Sequence, residues 1–335
     1  MRIEDIDTAR CKPQYADDMV EDMRWFGVDW DAGYASQVHK STPDEFIQSK
    51  RFQYYEQAWK TLYDHGYIYP CTLSRRDVET ALSAPHDNIR GANASDNHEV
   101  IFPPSLRPDF MQYVPYEVGA NQHLPSHWQH LSSPRSLRIN WRFRIPDSGS
   151  VDFLDLCQGR QSFGCGGDFG DFLVWRLDGY PSYELAVVVD DILMGITEVV
   201  RGKDLLLSTA RQLLLMKALF GLDFRSPAAW HPVSSPSMGS SDGQFTRSAA
   251  TTGSIASSRS ELEPAMHSST GTDVVLVQSP RIPQFFHAPL VCDELGVRLA
   301  KRNFAKSLRT LREEGKSPQD IRREYLASIE ELIER

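Results

Sequence analysis

The sequence predicts an α/β protein, because segments with helical periodicity and segments with strand alternation follow one another along its 335 residues. Residues 12–26 place apolar side chains at helical spacing, whereas residues 137–145 alternate strictly between apolar and polar side chains. At this length, a hydrophobic content of 41% is enough for a sizeable core, in one large domain or two small ones.

Two amphipathic helices are predicted near the N-terminus. The first covers residues 12–26 and is stopped by Gly27. The second is capped by Thr42, has Pro43 in its first position and ends at Gly66. The apolar stripe of the second helix consists of Phe46, Phe52, Tyr55, Trp59 and Leu62. Apolar stripes of this kind face the protein core far more often than they contact a cofactor.

A strand and a hairpin are predicted in the middle of the chain. Residues 137–145 place five apolar side chains on one face and three arginines with Asn140 on the other, which is typical of a half-buried strand. Residues 171–183 contain Asp178 and Gly179 as a turn signal and therefore predict a hairpin.

Residues 183–204 place charges inside an otherwise apolar segment. The run Leu185 to Val189 ends in Asp190 and Asp191, and a second apolar run ends in Arg201. Because ligands in an α/β sheet lie outside the carboxyl ends of strands, charges at the ends of such runs predict a ligand site.

The remaining segments are one helix and two irregular regions. A helix is predicted over residues 209–220, capped by Ser208 and ended by Gly221. Residues 86–136 are rich in Pro, Asn and His. In residues 234–271, 16 of 38 positions are Ser or Thr, with almost no apolar periodicity, so disorder is predicted.

Three separated stretches resemble the catalytic domain of class I glutamyl-tRNA synthetases. They are MRIEDIDTAR at residues 1–10, the segment at residues 183–204, and GVRLAKRNFAKSLRTLRE at residues 296–313. Each alone is a weak signal, whereas three in the family's order are specific. The resemblance is greatest to the short members of the family, the glutamyl-Q tRNA(Asp) synthetases, and covers residues 1–85, 137–224 and 285–320.

The resemblance implies a Rossmann-like catalytic domain of the class I aminoacyl-tRNA synthetases. That domain is expected at residues 1–224, with residues 86–136 as an irregular insertion. A Ser-rich disordered insertion is expected at residues 225–281. Residues 282–335 are expected to hold a catalytic loop and C-terminal helices.

The resemblance also implies a glutamate site. Glu4 aligns with the family's acid for the substrate amine, and Tyr183 and Arg201 match its glutamate-binding tyrosine and arginine. A zwitterionic acidic substrate suits a carboxylate for its ammonium group and an arginine for its carboxylate. The alternatives are a surface acid for Glu4, and for Arg201 an ion pair with Asp204 or Asp190.

An ATP site is implied in the same way. Lys301 in RLAKR aligns with the second lysine of the Lys-Met-Ser-Lys-Ser loop, whose ammonium group stabilises the phosphates in the transition state, so it is the catalytic candidate. Ala300 stands where many members have serine. Asp190, Asp191 and Asp204 are the other candidates for ATP, which is expected with Mg²⁺. The alternative for Lys301 is an exposed lysine in a basic segment.

No metal site is predicted in the protein itself. The family often carries a zinc knuckle, but here only Cys71 stands at an expected ligand position, and Leu73, Phe102 and Leu106 occupy the other three. One thiolate cannot hold a four-coordinate zinc ion, so zinc is expected to be absent. The five cysteines form no paired framework.

The family begins with a strand and a Gly-rich turn that carry a His-Ile-Gly-His signature, whereas this sequence begins at Met1, inside the next strand. We therefore expect an N-terminally incomplete domain that does not adenylate glutamate as written. Only 34 residues follow Lys301. That leaves no room for a separate anticodon-binding domain, which favours the short members.

The resemblance implies a ligase that activates L-glutamate with ATP and transfers it to tRNA, most of all to the queuosine of tRNA(Asp). The rival hypothesis is a non-catalytic or degenerate paralogue that binds RNA or a protein partner. Loss of the nucleotide signature favours the rival. Retention in register of Glu4, Tyr183, Arg201 and Lys301 favours the enzyme.

Net charge and hydropathy exclude some other functional classes of protein. A net charge of −9 excludes a wholly basic nucleic-acid coat. Between Arg298 and Arg323, nine Lys or Arg residues stand against three acids, which fits RNA contact and a solvated helix face equally well. With no signal sequence or membrane-length run, we expect a monomeric protein of the cytoplasm, or of an organelle in a eukaryote.

Overall fold

The computed structural model describes residues 1–7, 10–37, 43–82, 101–112, 126–128, 130–222, 280–290 and 307–333. Lys301 and the Ser-rich stretch at 234–271 lie outside these residues. The helices are α1 (Pro13–Phe26), α2 (Phe52–Asp64), α3 (Arg75–Leu82), α4 (Asp109–Gln112), α5 (Tyr183–Leu193), α6 (Leu206–Phe220), α7 (Leu308–Glu313) and α8 (Pro318–Ile333). The strands are β1 (Ile68–Cys71), β2 (Asn140–Phe143), β3 (Ser150–Asp155), β4 (Gly159–Gly164), β5 (Phe172–Trp175), β6 (Glu198–Gly202) and β7 (Gln284–Ala288).

The strands form two sheets, which confirms the predicted α/β class. One sheet is antiparallel, in the order β1, β2, β5. The other has the order β4, β3, β7, β6, in which β3, β7 and β6 are parallel. The carboxyl ends of these three strands therefore meet at one edge, where Arg201 lies opposite His287 and Asp155 lies opposite Phe285.

The aromatic stripe of α2 forms the centre of the core, as predicted. Tyr55, Trp59 and Leu62 have no exposed surface. The Trp59 ring meets Trp141 of β2 edge to face, with ring centroids 5.0 Å apart. Helices α5 and α6 contribute to the same cluster. Among the described helices, none is both long enough and apolar enough to cross a membrane.

The second predicted helix starts later than expected. Residues 43–50 form two short 3-10 turns, and α2 begins only at Phe52. The reason is a tertiary contact, because the amide of Gln48 donates to the carbonyl of Ile3 at 3.0 Å and the amide of Ser49 donates to Asp5 at 2.8 Å. The second turn, Gln48–Lys50, therefore holds the N-terminal residues in place of a first helical turn.

The strand predicted over 137–145 is shorter and is buried on both faces. β2 spans Asn140–Phe143, and its polar face is covered as fully as its apolar face. Arg142 stacks over the Phe102 ring at 4.1 Å and donates to the Asp171 carbonyl at 3.0 Å, while Arg144 pairs with Asp147 at 2.9 Å. The prediction of a half-buried strand was wrong because the groups that cover Arg142, Phe102 and Asp171, are distant from it in sequence.

The apolar run before Asp190 is helical and does not end a strand. Helix α5 covers it, with the Ser182 side chain accepting from the Leu185 amide at 3.3 Å as an N-cap. Nine of its residues are buried, so its sequence shows no polar face. Short apolar runs rich in valine fit a buried helix and a buried strand equally, and only packing separates them.

The remaining elements follow the predictions closely. The chain turns at Gly179 after β5, but the return is a single bridge between Trp175 and Pro181, not a full second strand. Helix α6 begins three residues before the predicted start. Gly27 and Gly221 end α1 and α6 in the left-handed conformation, with φ of 77° and 66°.

Candidate functional site

Three side chains at the carboxyl edge of the parallel strands form a continuous hydrogen-bonded chain. Arg201 of β6 directs Nε to Nε2 of His287 on β7, at 3.0 Å. His287 in turn lies with Nδ1 2.6 Å from the Oδ2 atom of Asp155, the last residue of β3. His287 has no exposed surface and Asp155 almost none. The parallel pairing of these strands aligns the three side chains.

The geometry determines the protonation of His287. The Arg201 guanidinium can only donate, so Nε2 of His287 carries a lone pair and its proton lies on Nδ1, directed at Asp155. Burial lowers the pKa of His287, and the charge of Arg201 lowers it further against the opposing effect of Asp155. His287 is therefore a neutral imidazole at pH 7.

Arg201 is fixed from a second side by helix α6. Its Nη2 atom donates to Oγ1 of Thr209 at 2.7 Å and to Oε1 of Gln212 at 2.8 Å. Gln212 itself donates to Glu184 of α5 at 2.8 Å. The partners of Arg201 are thus neutral groups, and its positive charge remains available to an anionic ligand.

The structure brings the three predicted glutamate-binding residues into one neighbourhood. Burial raises the pKa of the Tyr183 hydroxyl, and the charges of both Arg201 and Glu4 act on it, the first lowering and the second raising it. Tyr183 is 42% exposed as a residue. An arginine and a carboxylate therefore both act electrostatically on the same hydroxyl group.

Glu4 is held in place by Arg2, a residue that the sequence patterns did not single out. Arg2 donates through Nη2 to Glu4 at 2.8 Å and through Nη1 to Asp191 at 2.6 Å. A cleft of about 850 Å³ borders Glu4, between the N-terminal segment, α1 and the start of α7. Both Arg2 and Glu4 belong to the MRIEDID stretch, so a resemblance search could have identified the pair.

The structure places two of the predicted ATP ligands away from solvent. Asp190 has no exposed surface, and its oxygens accept from Arg51 at 2.7 Å and from Gln48 and Tyr55 at 2.9 Å each. Asp191 is also buried, which raises its pKa despite its contact with Arg2. These carboxylates connect α5 to α2 and the N-terminal segment, which favours a structural role over contact with ATP.

Asp204 differs from this pair because it is exposed, in the turn that joins β6 to α6. Its carboxylate lies against the Cα of Gly202, where an added Cβ would stand 2.5 Å from Oδ1. A larger residue at position 202 would displace this carboxylate from its present position. The turn therefore places the Asp204 carboxylate three residues after Arg201, at the same edge of the sheet.

The described part of the basic segment packs against the acidic face of α1. Arg309 pairs with Asp18 at 3.2 Å, and Arg312 pairs with Glu21 at 2.6 Å. Arg322 donates to the carbonyl of Phe26 at 2.5 Å. For these three arginines, intramolecular pairing is favoured over RNA contact, one of the two alternatives that the sequence left open.

The residues at the positions of the expected zinc ligands lie close together, but they form a small apolar core and not a metal site. Cys71 and Phe102 are buried in it with Tyr69, and Leu73 and Leu106 pack against them. Within the described ranges, no group of three or more His, Cys, Asp or Glu side chains is placed to hold a metal ion. The side chains that occupy the positions of the expected ligands offer hydrocarbon in place of donors.

We predict that purified protein contains no stoichiometric zinc, because one thiol surrounded by aromatic and aliphatic groups cannot complete a tetrahedral site. Elemental analysis by mass spectrometry provides the measurement. As a companion, Phe102→Ala should lower the free energy of unfolding by about 3 to 5 kcal/mol, since it opens a cavity in this core. One equivalent of bound zinc, lost in a Cys71→Ser variant, would contradict the prediction.

Comparisons with known proteins agree with this geometry. A family model described as tRNA synthetases class I (E and Q), catalytic domain, matches residues 1–99 and 112–235. A glutamyl-Q tRNA(Asp) synthetase of Symbiobacterium thermophilum is 32% identical over 327 residues, which cover 96% of this chain and 73% of that protein. A glutamate–tRNA ligase of Aquifex aeolicus is 27% identical over 96% of this chain and 48% of that protein.

A solved structure gives the same fold. The glutamate–tRNA synthetase of Elizabethkingia anophelis superposes with a TM-score of 0.53 at 21% identity, over 90% of this chain. The match spans 45% of that longer protein. At this level of identity, the likeness establishes the fold alone.

Proposed function

The chain belongs to the class I tRNA synthetases of the E and Q group, and from this we propose that it activates L-glutamate with ATP and transfers the glutamyl group to tRNA. The observation that carries the proposal is that Arg201 lies at the carboxyl edge of the parallel strands and that both Arg201 and Glu4 act electrostatically on the Tyr183 hydroxyl. This is the edge at which α/β sheets bind ligands.

The charges at the site match an acidic amino acid. We propose that the Arg201 guanidinium binds a substrate carboxylate, with the Tyr183 hydroxyl as a second donor. Glu4, oriented by Arg2, would accept the substrate ammonium group. The positively charged guanidinium of Arg201 favours glutamate over glutamine, because a neutral amide gains less from its charge.

For the nucleotide, we retain two of the predicted residues. The carboxylate of Asp204 could accept hydrogen bonds from ribose hydroxyls, and Lys301, outside the described residues, would stabilise the phosphates. Because the described residues offer no metal-binding cluster, we propose that Mg²⁺ enters bound to the phosphates of ATP. Activation then needs no enzyme nucleophile, since the glutamate carboxylate attacks the α-phosphorus directly and pyrophosphate leaves.

We further propose the queuosine of tRNA(Asp) as the acceptor, supported by the names of several relatives at 31% to 36% identity. Transfer of radiolabelled glutamate is the test, using tRNA from cells with and without queuosine. Transfer to tRNA(Asp) that requires queuosine supports the proposal. Equal transfer to tRNA(Glu) from both sources would instead assign the protein to ordinary glutamyl-tRNA synthesis.

Arg201→Ala should raise the KM for glutamate by about 30- to 150-fold, the effect of losing one charge-assisted contact of about 2 to 3 kcal/mol. The rate at saturating glutamate should change less, because the contacted carboxylate is charged before and after the step. Glutamate-dependent exchange of pyrophosphate into ATP gives both constants, measured on a form of the protein that also carries the family's N-terminal strand and Gly-rich turn. Arg176→Ala is the control, because Arg176 forms an exposed pair with Asp178. An unchanged KM would refute the assignment of Arg201.

A further inference from the structure

We propose that His287 and Asp155 are positioning residues for substrate recognition: Asp155 selects the imidazole tautomer whose lone pair orients the Arg201 guanidinium. The inference rests on the proposed function, because it gives a cause for the placement of the arginine that binds glutamate. Neither residue is assigned to substrate contact, and both act through Arg201.

Backbone hydrogen bonds fix the carboxylate of Asp155 independently of its contact with the His287 side chain. Its Oδ1 atom accepts from the backbone amides of Cys157 at 3.0 Å, Gln158 at 2.8 Å and His287 at 3.2 Å. This leaves Oδ2 for the Nδ1 proton of His287, at 2.6 Å. The two oxygens therefore have separate functions, one binding the backbone and the other the imidazole.

The fixed imidazole of His287 in turn fixes the orientation of the Arg201 guanidinium. With its proton on Nδ1, His287 presents the Nε2 lone pair to Nε of Arg201, and Thr209 and Gln212 hold Nη2 on the other side. Rotation of the guanidinium would break hydrogen bonds at two of its three nitrogens. The Nη1 amino group is the part that we assign to the substrate carboxylate.

A neutral partner suits this role better than a carboxylate in direct contact. An aspartate at the position of His287 would orient Arg201 but neutralise the charge that glutamate needs. The imidazole orients it with a lone pair, and the negative charge of Asp155 stays on the far side of the ring. Glu184 is likewise separated from Arg201 by the neutral amide of Gln212.

Asp155→Asn tests the tautomer with little change in shape. The amide oxygen should remain with the three backbone amides, so the NH2 group replaces Oδ2 and donates to Nδ1 of His287. The imidazole must then carry its proton on Nε2, which lies 3.0 Å from Nε of Arg201 and 3.1 Å from Oγ1 of Thr209. Arg201 thereby loses its acceptor and faces a second donor, even where Thr209 accepts that proton. We expect the KM for glutamate to rise by about 10- to 100-fold, with a smaller change in the rate at saturation.

Two histidine variants separate positioning from packing. The amide of His287→Gln can place an oxygen near the former Nε2 position and accept from Arg201, whereas the shorter His287→Asn reaches only toward Asp155. Rescue by glutamine but not by asparagine is the expected result. Equal KM values for both, at matched thermal stability, would show that the imidazole only fills space and would overturn the inference.

A double-mutant cycle isolates the coupling. When Arg201 is already alanine, Asp155→Asn should raise the KM no further, because there is no guanidinium left to orient. Nitrogen-15 NMR of histidine-labelled full-length protein adds a direct observation, with His287→Gln identifying its signal among the ten histidines. The proton should lie on Nδ1 in the parent and on Nε2 in Asp155→Asn.

The outcomes of these experiments distinguish a failure of the positioning role from a failure of the proposed function. If Arg201→Ala leaves the KM for glutamate unchanged, the proposed function fails at its central contact. If Arg201→Ala raises the KM but Asp155→Asn does not, or if their effects are additive in the double variant, the positioning role alone is refuted.

Discussion

Asp190→Ala is expected to lower the free energy of unfolding by about 3 to 5 kcal/mol, because removing one partner of a buried ion pair leaves the other charge without compensation. Arg51 is that other charge, and only 8% of its side chain is exposed. The substitution also removes the acceptor of Gln48 and Tyr55, two further buried polar groups. Of the carboxylates predicted to bind ATP, this one should prove to be a stability determinant.

Urea unfolding followed by circular dichroism measures the effect. Asp178→Ala is the matched control, since it removes a carboxylate from an exposed pair with Arg176 and should cost at most about 1 kcal/mol. Asp190→Asn keeps the shape and should fall between the two. A loss below about 1 kcal/mol in Asp190→Ala would mean that the carboxylate does not hold α5 against α2.

In a form of the protein that also carries the family's N-terminal strand and Gly-rich turn, Lys301→Ala is expected to lower the rate of glutamate activation by about 10²- to 10³-fold, while the KM for glutamate changes far less. The physical reason is the charge that grows on the phosphates as the carboxylate attacks. An ammonium group at that position interacts more strongly with the transition state than with bound ATP. The pattern is opposite to that of Arg201→Ala, whose partner keeps its charge throughout.

Pyrophosphate exchange measured at saturating ATP and glutamate gives the rate. Lys316→Ala is the control, because Lys316 is an exposed lysine that pairs with Glu324 at 2.7 Å. If Lys301→Ala and Lys316→Ala behave alike, Lys301 is an ordinary surface lysine and its alignment with the catalytic loop is wrong. A rise in the KM for ATP with an unchanged rate would assign it to ground-state binding.

The predictions that the structure confirmed depend on local chemistry. Gly27 and Gly221 end their helices because only glycine enters the left-handed conformation without strain, and this needs no tertiary partner. The order of the three motifs likewise identified the family from sequence alone. It also named Glu4, Tyr183 and Arg201, which the fold brings into one neighbourhood.

The predictions that were wrong depend on partners distant along the chain. The valine-rich run in α5 is compatible with both a helix and a strand, and its burial on all sides was decided by packing. The ATP contact predicted for Asp190 stays a prediction, but the structure pairs this carboxylate with Arg51 and Tyr55, which lie more than 130 residues away in sequence. In the sequence, a charged residue that is paired within the fold cannot be distinguished from one that binds a substrate.

The sequence by itself determined the family and predicted which residues would carry its chemistry, because motifs preserve residue types at fixed spacing. Only the tertiary structure decided how Arg201 is held. Asp155, Arg201 and His287 lie on three separate strands, and no spacing relates them. Parallel pairing in the order β3, β7, β6 places their side chains within hydrogen-bonding distance of one another, since the register of a sheet is set by long-range pairing.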